Sequence, residues 1–306
     1  ILAAVMAPRF MLLGESAGQA IWHAVFYSVS AFNNAGFTPH SDGLVPYDED
    51  LWILVPLMVG VFVGSLGFPV IMVLMQSRLH LKRWNLHTKL TLLVTTILLV
   101  GGSILWGAFE WFNTATIGEM NVADRILHSV FASVMTRSGG FSLVNMSDLD
   151  SSTLLITDML MFAGGGSAST AGGIKVTTLA VIFLAVVAEA RGDADVRAFG
   201  RTIAASAMRV AISVVILGAT LVAVSTVVLL AITKETLEPV LFEVISAFAT
   251  VGLSIGLSEA LPPEGKYVLS ALMFAGRVGT ITLAAALAIR QRNTLYHYPE
   301  ERPIIG

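Results

Sequence analysis

The chain has 306 residues, 55% of them hydrophobic and only 13% charged, with a mean hydropathy of +0.79. A soluble domain carries about 25% charged residues, so this composition describes a polytopic membrane protein. The net charge of −3 says nothing of a nucleic-acid partner, and the lack of cysteine excludes disulfides, cysteine-ligated zinc and thiol catalysis.

In chain order, Ile1 to Leu13 is the tail of an apolar segment ending near Pro8 and Gly14, read as a transmembrane helix cut at Ile1 with sequence missing upstream. Ser16 to Phe32 is too short, and too polar at its start, to cross ~30 Å of hydrocarbon, which needs ~20 apolar residues. It reads as a re-entrant pore helix. Leu51 to Met75 and Leu90 to Phe109 are spans, joined by a basic stretch from Gln76 to Lys89. Glu110 to Asp124 is an acidic loop, and Val122 to Met135 a second short helix with Asn121 and Asp124 as cap residues. Ser151 to Ala188 is a long apolar run broken at Gly164 to Gly173. After the basic loop Glu189 to Arg201 come a span, Thr202 to Thr233, and a third short helix, Pro239 to Phe248, with proline near its first turn. Lys266 to Ile289 is the last span, before a polar tail from Arg290.

Each short helix runs into one pattern: SVSAFNNAGFT (Ser28 to Thr38), ASVMTRSGGFS (Ala132 to Ser142) and VISAFATVGLS (Val244 to Ser254). Small or polar residues precede Gly36, Gly140 and Gly252, and a large apolar residue, Phe37, Phe141 or Leu253, follows. The glycines stand 104 and 112 residues apart, so the repeating unit is a whole helix, pore loop and helix. A single copy is equally well a glycine helix cap. Three copies, each after a helix too short to span, point to a repeated pore loop. Carbonyls of such loops can replace the water shell of a cation, glycine permits the dihedrals this needs, and the C-terminus of each short helix adds partial negative charge. Phe37, Phe141 and Leu253 are expected to pack outward and brace the turns.

Charge sets orientation. Arg78, Lys82, Arg83, Lys89, Arg191, Arg197, Arg201, Arg290, Arg292 and Arg302 mark loops 76–89 and 189–201 and the C-terminus as cytoplasmic. The opposite loops carry acids, among them Asp42, Asp48, Glu49, Asp50, Glu110, Glu119, Asp148 and Asp150. All three glycine turns then lie on the outer side, where acids raise the local cation concentration.

NNAGF, RSGGF and ATVGL, with GGGSASTAGGIK (Gly164 to Lys175) and MFAGRVGTITLA (Met273 to Ala284), resemble the Trk/Ktr/HKT potassium transporter superfamily, closest to the bacterial Ktr/Trk membrane subunit. The resemblance covers nearly the whole chain. It implies an all-α integral membrane fold of helix–pore loop–helix units around a pseudo-fourfold pore, three of an expected four being present here. Residues 1–76 are then repeat 2, with pore helix and filter at 16–38. Residues 77–190 are repeat 3, with pore helix and filter at 122–142 and a Gly-rich intramembrane loop at 164–173. Residues 191–306 are repeat 4, with pore helix and filter at 238–254 and a cytoplasmic tail. The first filter strand, whose Gly-or-Ser choice bears on potassium against sodium in this family, is upstream of the sequence read here.

The resemblance also implies site residues. Potassium would pass the carbonyls of Asn34, Ala35 and Gly36, of Ser138, Gly139 and Gly140, and of Thr250, Val251 and Gly252. The second copy departs in Arg137, which is expected to point away from the ion path and pair with Asp148 or Asp150. Below the filter, Gly164, Gly165, Gly166, Gly172 and Gly173 would give a gating loop its mobility, and Ser167, Ser169 and Thr170 would bond water or ions. Arg277, a charge inside the last span, would stand beside that loop as a positive barrier, and Lys175 would either join this gate or snorkel to the cytoplasm. Structural alternatives are a small-residue helix crossing at 164–173 and a buried ion pair at Arg277.

His23, His40, His80, His87, His128 and His297 show no metal spacing, and the Trp residues lie mostly near span ends, as interface anchors do. The reading is a potassium-uptake subunit of the bacterial plasma membrane and no enzyme, since HExxH and cysteine are absent. By resemblance it is a homodimer on a cytoplasmic ring of nucleotide-binding regulatory subunits. Any nucleotide binds that ring, and the chain itself carries no cofactor. The alternatives are a sodium-selective or non-selective cation transporter of the same fold and, further off, an intramembrane enzyme.

Overall fold

The computed structural model describes residues 1–77 and 80–279. Arg78, Leu79 and the chain from Thr280, including the far half of the last expected span and the tail with Arg290, Arg292, His297 and Arg302, lie outside the described residues. Helices dominate: α1 (Leu2–Leu12), α2 (Ala17–Phe32), α3 (Leu51–Leu66), α4 (Phe68–Ser77), α5 (Leu86–Glu110), α6 (Val122–Met135), α7 (Ser151–Phe162), α8 (Val176–Arg191), α9 (Ala205–Thr233), α10 (Leu237–Phe248), α11 (Leu257–Ala260) and α12 (Pro263–Phe274). A two-residue hairpin, β1 (Arg197–Ala198) with β2 (Arg201–Thr202), interrupts the basic loop before α9.

The short helices form where the sequence places them. Ser16 accepts from the Gln19 amide (3.4 Å) at the start of α2, and Asn121 accepts from the Asp124 amide (3.0 Å) at the start of α6. Among the described residues α5 and α9 are long and apolar enough to cross a membrane by length and composition. The span expected from Leu51 to Met75 is not one straight helix. It breaks at Gly67 (φ +92°) into α3 and α4, which bend by 99°. Pro69, two residues on, has no amide hydrogen to extend α3 and fits the first turn of α4.

Packing follows the chain. Helices α1, α2 and α3 pack together and meet α6, burying Met6, Phe10, Tyr27, Leu54, Leu57, Val61 and Met135. Helices α9, α10 and α12 pack together against α7, around Leu229, Phe242, Phe248 and Leu272. Trp106 is 1% exposed inside this second core, so it is a packing residue rather than an interface anchor. Glu110 also departs from expectation. It is fully buried, not at a solvated mouth, and its carboxylate accepts from Asn113 Nδ2 (2.7 Å), Thr116 Oγ1 (2.6 Å) and the Asp150 amide (3.0 Å). Hydrogen bonds to a charged acceptor contribute roughly 1.5–3 kcal/mol each, enough to hold α5 to the start of α7.

Candidate functional site

The three short helices end at the three glycine turns. In α2, the Asn34 amide donates to Ala31 O (3.1 Å) and the Ala35 amide to Ser30 O (2.9 Å). In α10, the Thr250 amide donates to Ala247 O (3.1 Å) and the Val251 amide to Ser246 O (2.9 Å). This 6→1 and 5→2 pairing is a Schellman closure, and its left-handed residue is Asn34 (φ 53°) or Thr250 (φ 50°). Ser138 (φ 68°) stands at the same place after α6. The glycines are therefore not the helix caps. Each follows its cap by two residues and is left-handed again: Gly36 at +71°, Gly140 at +74°, Gly252 at +93°. Between them Ala35, Gly139 and Val251 keep negative φ. Two positive-φ residues in three depart from the two-sided array of a regular β-strand, whose residues all keep negative φ.

Left-handed Ser and Thr are strained and persist where their surroundings fix them. Here each turn is tied to the next. Asn34 Nδ2 donates to Arg137 O (3.3 Å), and Ser138 Oγ donates to Thr250 O (2.7 Å). Ser30 Oγ reaches Phe37 O (2.9 Å) and Ser246 Oγ reaches Leu253 O (2.6 Å), closing the first and third turns over their own helices. The turns touch directly. A methyl placed on Gly36 would come within 2.8 Å of Gly140 Cα, one on Gly140 would overlap the Val251 carbonyl oxygen, and one on Gly252 would meet nothing nearer than Gly140 Cα at 3.9 Å.

The stretch from Gly164 to Gly173 is a loop, not a helix crossing, pinched at its base by a parallel bridge between Ala163 and Ile174. It fills the corner left by the α3–α4 break. Carbonyls at the end of α3 have no intrahelical partner. The Gly166 amide bonds Ser65 O (2.7 Å), the Thr170 amide bonds Gly64 O (3.3 Å), and the Phe68 amide returns a bond to Ala168 O (3.1 Å). The loop tip also reaches all three turns. Thr170 Oγ1 lies 2.6 Å from Asn34 Oδ1, the Gly172 amide donates to Ser138 Oγ (3.3 Å), and a methyl on Gly173 would lie 3.2 Å from Ala249 Cα. Ser167 bonds Thr177 Oγ1 (2.9 Å) and Ser169 accepts from the Ala171 amide (3.3 Å), so these hydroxyls hold protein partners.

Three expectations change, and the alternative given for Arg277 is set aside. Arg137 is 2% exposed, and its guanidinium nitrogens have no hydrogen-bond partner among the described residues, so it does not pair with Asp148 or Asp150. Its chain direction is set by the turn it enters, which sends the side chain into the protein. Lys175 does not snorkel, since its ammonium curls back to the Ala171 carbonyl inside the loop. Phe141 and Leu253 are buried as braces would be, but Phe37 is 70% exposed. Among the described residues Arg277 forms no ion pair: it sits in a π-helical turn, Ala275–Gly279, that continues α12, and donates to the Thr170 carbonyl. Such π turns recur at functional sites.

Residues 1–296 match the TrkH family of cation transport proteins. The chain belongs to that family. Within it, the Ktr system potassium uptake protein B of Vibrio alginolyticus is 37% identical over 288 residues, covering 94% of this chain and 63% of the relative. The potassium/sodium uptake protein NtpJ of Enterococcus hirae is 34% identical, covering all of this chain and 67% of the relative. The Ktr system potassium uptake protein D of Bacillus subtilis is also 34% identical, covering 99% and 68%. The chain thus spans about two thirds of the length of these relatives. The crystal structure of the potassium transporter TrkH from Vibrio parahaemolyticus superposes with a TM-score of 0.73 at 18% identity, over 94% of this chain and 61% of that one, and shows the shared fold. The family is one of membrane transporters, not enzymes.

Two features of this TrkH-family chain were beyond sequence reasoning. The Gly67 bend joins the Gly-rich loop to α3 and α4, although the Gly67 and Pro69 pair signals it. His23 and His40, 17 positions apart, meet Glu15 in one cluster.

Proposed function

We propose that this chain conducts potassium into the cell through the carbonyls of its glycine turns. The observation that carries this is the same pair of positive-φ residues flanking one negative-φ residue in all three turns, Asn34 to Gly36, Ser138 to Gly140 and Thr250 to Gly252. No ordinary cap requires the second left-handed residue. The turns are in contact here, so conduction needs them parted around an axis. A fourth turn completing a pseudo-fourfold ring, with three repeats bounded as the sequence suggests, would do this. The Gly164–Gly173 loop, with Lys175 and Arg277, is the gate: its tip bonds the first two turns and lies against the third, and Arg277 holds it by the Thr170 carbonyl. The turns face outside and the loops at 76–89 and 189–201 face the cytoplasm. The names of the relatives support potassium uptake, and those of the Ktr systems support a regulatory partner, read here as a nucleotide-binding ring beneath a homodimer.

Expressed from its own gene in a bacterial strain lacking potassium uptake, the protein is expected to restore growth at low potassium. No rescue despite membrane expression would refute the reading. A sodium-permeable variant of the function is favoured by the potassium/sodium name of the Enterococcus hirae relative. Sodium that competes with rubidium uptake at equal concentration would establish it.

A further inference from the structure

Glu15 precedes α2, His23 lies in its first half, and His40 is in the loop after the first glycine turn. One ligand atom from each lies within 4.8 Å of the others. His23 Nδ1 is 2.8 Å from Glu15 Oε2 and His40 Nε2 is 3.6 Å from Glu15 Oε1. A tetrahedral zinc ion with bonds of about 2.1 Å needs ligand atoms about 3.4 Å apart, so the present spacing accepts one with small side-chain shifts. Tyr47 Oη, 3.3 Å from His40 Nε2, borders the fourth position.

The outer shell has the form that metal-binding imidazoles use. Tyr27 Oη is 2.8 Å from His40 Nδ1, the ring nitrogen turned away from the cluster, and a proton held there leaves Nε2 free as a ligand. Tyr27 is itself fixed by Phe10, stacked on it at 5.9 Å and 13°, and both rings are buried. The three side chains are 17% to 23% exposed, enough for an ion to reach them from water.

We propose that Glu15, His23 and His40 form a binding site for a divalent transition-metal ion, zinc above all, with the two imidazoles and the carboxylate as ligands. The ion would pin the loop leaving the first turn to the head of its own short helix. The site does not depend on what the turns conduct.

The test is zinc titration of the purified, chelator-stripped protein against a chromophoric competitor. One zinc per chain is expected, with affinity lowered at least about tenfold in His23→Gln and in His40→Gln, and about tenfold in Tyr27→Phe, which keeps every ligand. X-ray absorption of the zinc-loaded wild type, needing no variant, should show two imidazoles and oxygen. Failure of the wild type to bind zinc, unchanged binding in a His23→Gln, His40→Gln double variant, or a spectrum with fewer than two imidazoles would each overturn the proposal.

Discussion

Gly140→Ala is expected to lower rubidium uptake by more than about tenfold, a barrier change above roughly 1.4 kcal/mol. Gly140 is left-handed at φ +74°, where an L-residue is strained by about 1–2 kcal/mol. A methyl there also overlaps the Val251 carbonyl oxygen and lies 3.1 Å from Gly36 Cα, so neighbouring turns must move. Gly252→Ala separates the two effects. Its φ of +93° carries the strain, but the nearest atom to a methyl is 3.9 Å away. Uptake should therefore fall in the order wild type, Gly252→Ala, Gly140→Ala, at equal membrane abundance. Equal losses in the two variants would mean that strain alone matters and that contact between turns does not.

Arg277→Gln is expected to raise uptake. If the cation passes within about 8 Å of this charge, an effective dielectric of about 20 adds roughly 2 kcal/mol to its barrier, so loss of the charge should increase flux about thirtyfold. The substitution also weakens the hold on Thr170. Thr170→Val tests that part alone. It removes the hydroxyl that reaches Asn34 Oδ1 (2.6 Å), Gly64 O (2.9 Å) and Phe32 O (3.2 Å) and leaves the charge in place. Uptake in Thr170→Val should rise less than in Arg277→Gln. Flux at the wild-type level in both would remove the loop and its arginine from the gate.

What the sequence disclosed follows from the range of the forces involved. Asn121 to Met135 was legible because its cap, its amphipathic face and its length are local, and the helix begins and ends where they indicate. The three turns were legible because repetition separates a shared requirement from the accidents of one copy. At the Gly67 corner the Gly67 and Pro69 pair signals a bend, but its partners were hidden, because Gly166, Ala168 and Thr170 lie about a hundred positions on, where no local pattern connects them. Arg137 illustrates a different limit. Its charge argued for an acid partner, but the left-handed turn at Ser138 directs the chain, and the side chain follows it into the protein. Phe37 resembles Phe141 in sequence and differs from it in exposure because packing depends on the neighbouring element, not on the motif.

The central claim concerns where the ion binds, and thallium, a heavy potassium mimic, locates it most directly. The protein expressed from its own gene would be crystallised with thallium in place of potassium and its anomalous signal mapped. The expected result is a peak ringed by the carbonyl oxygens of Asn34 to Gly36, Ser138 to Gly140 and Thr250 to Gly252, displaced by excess potassium. Peaks only at carboxylates or elsewhere, with none among these nine residues, would contradict it.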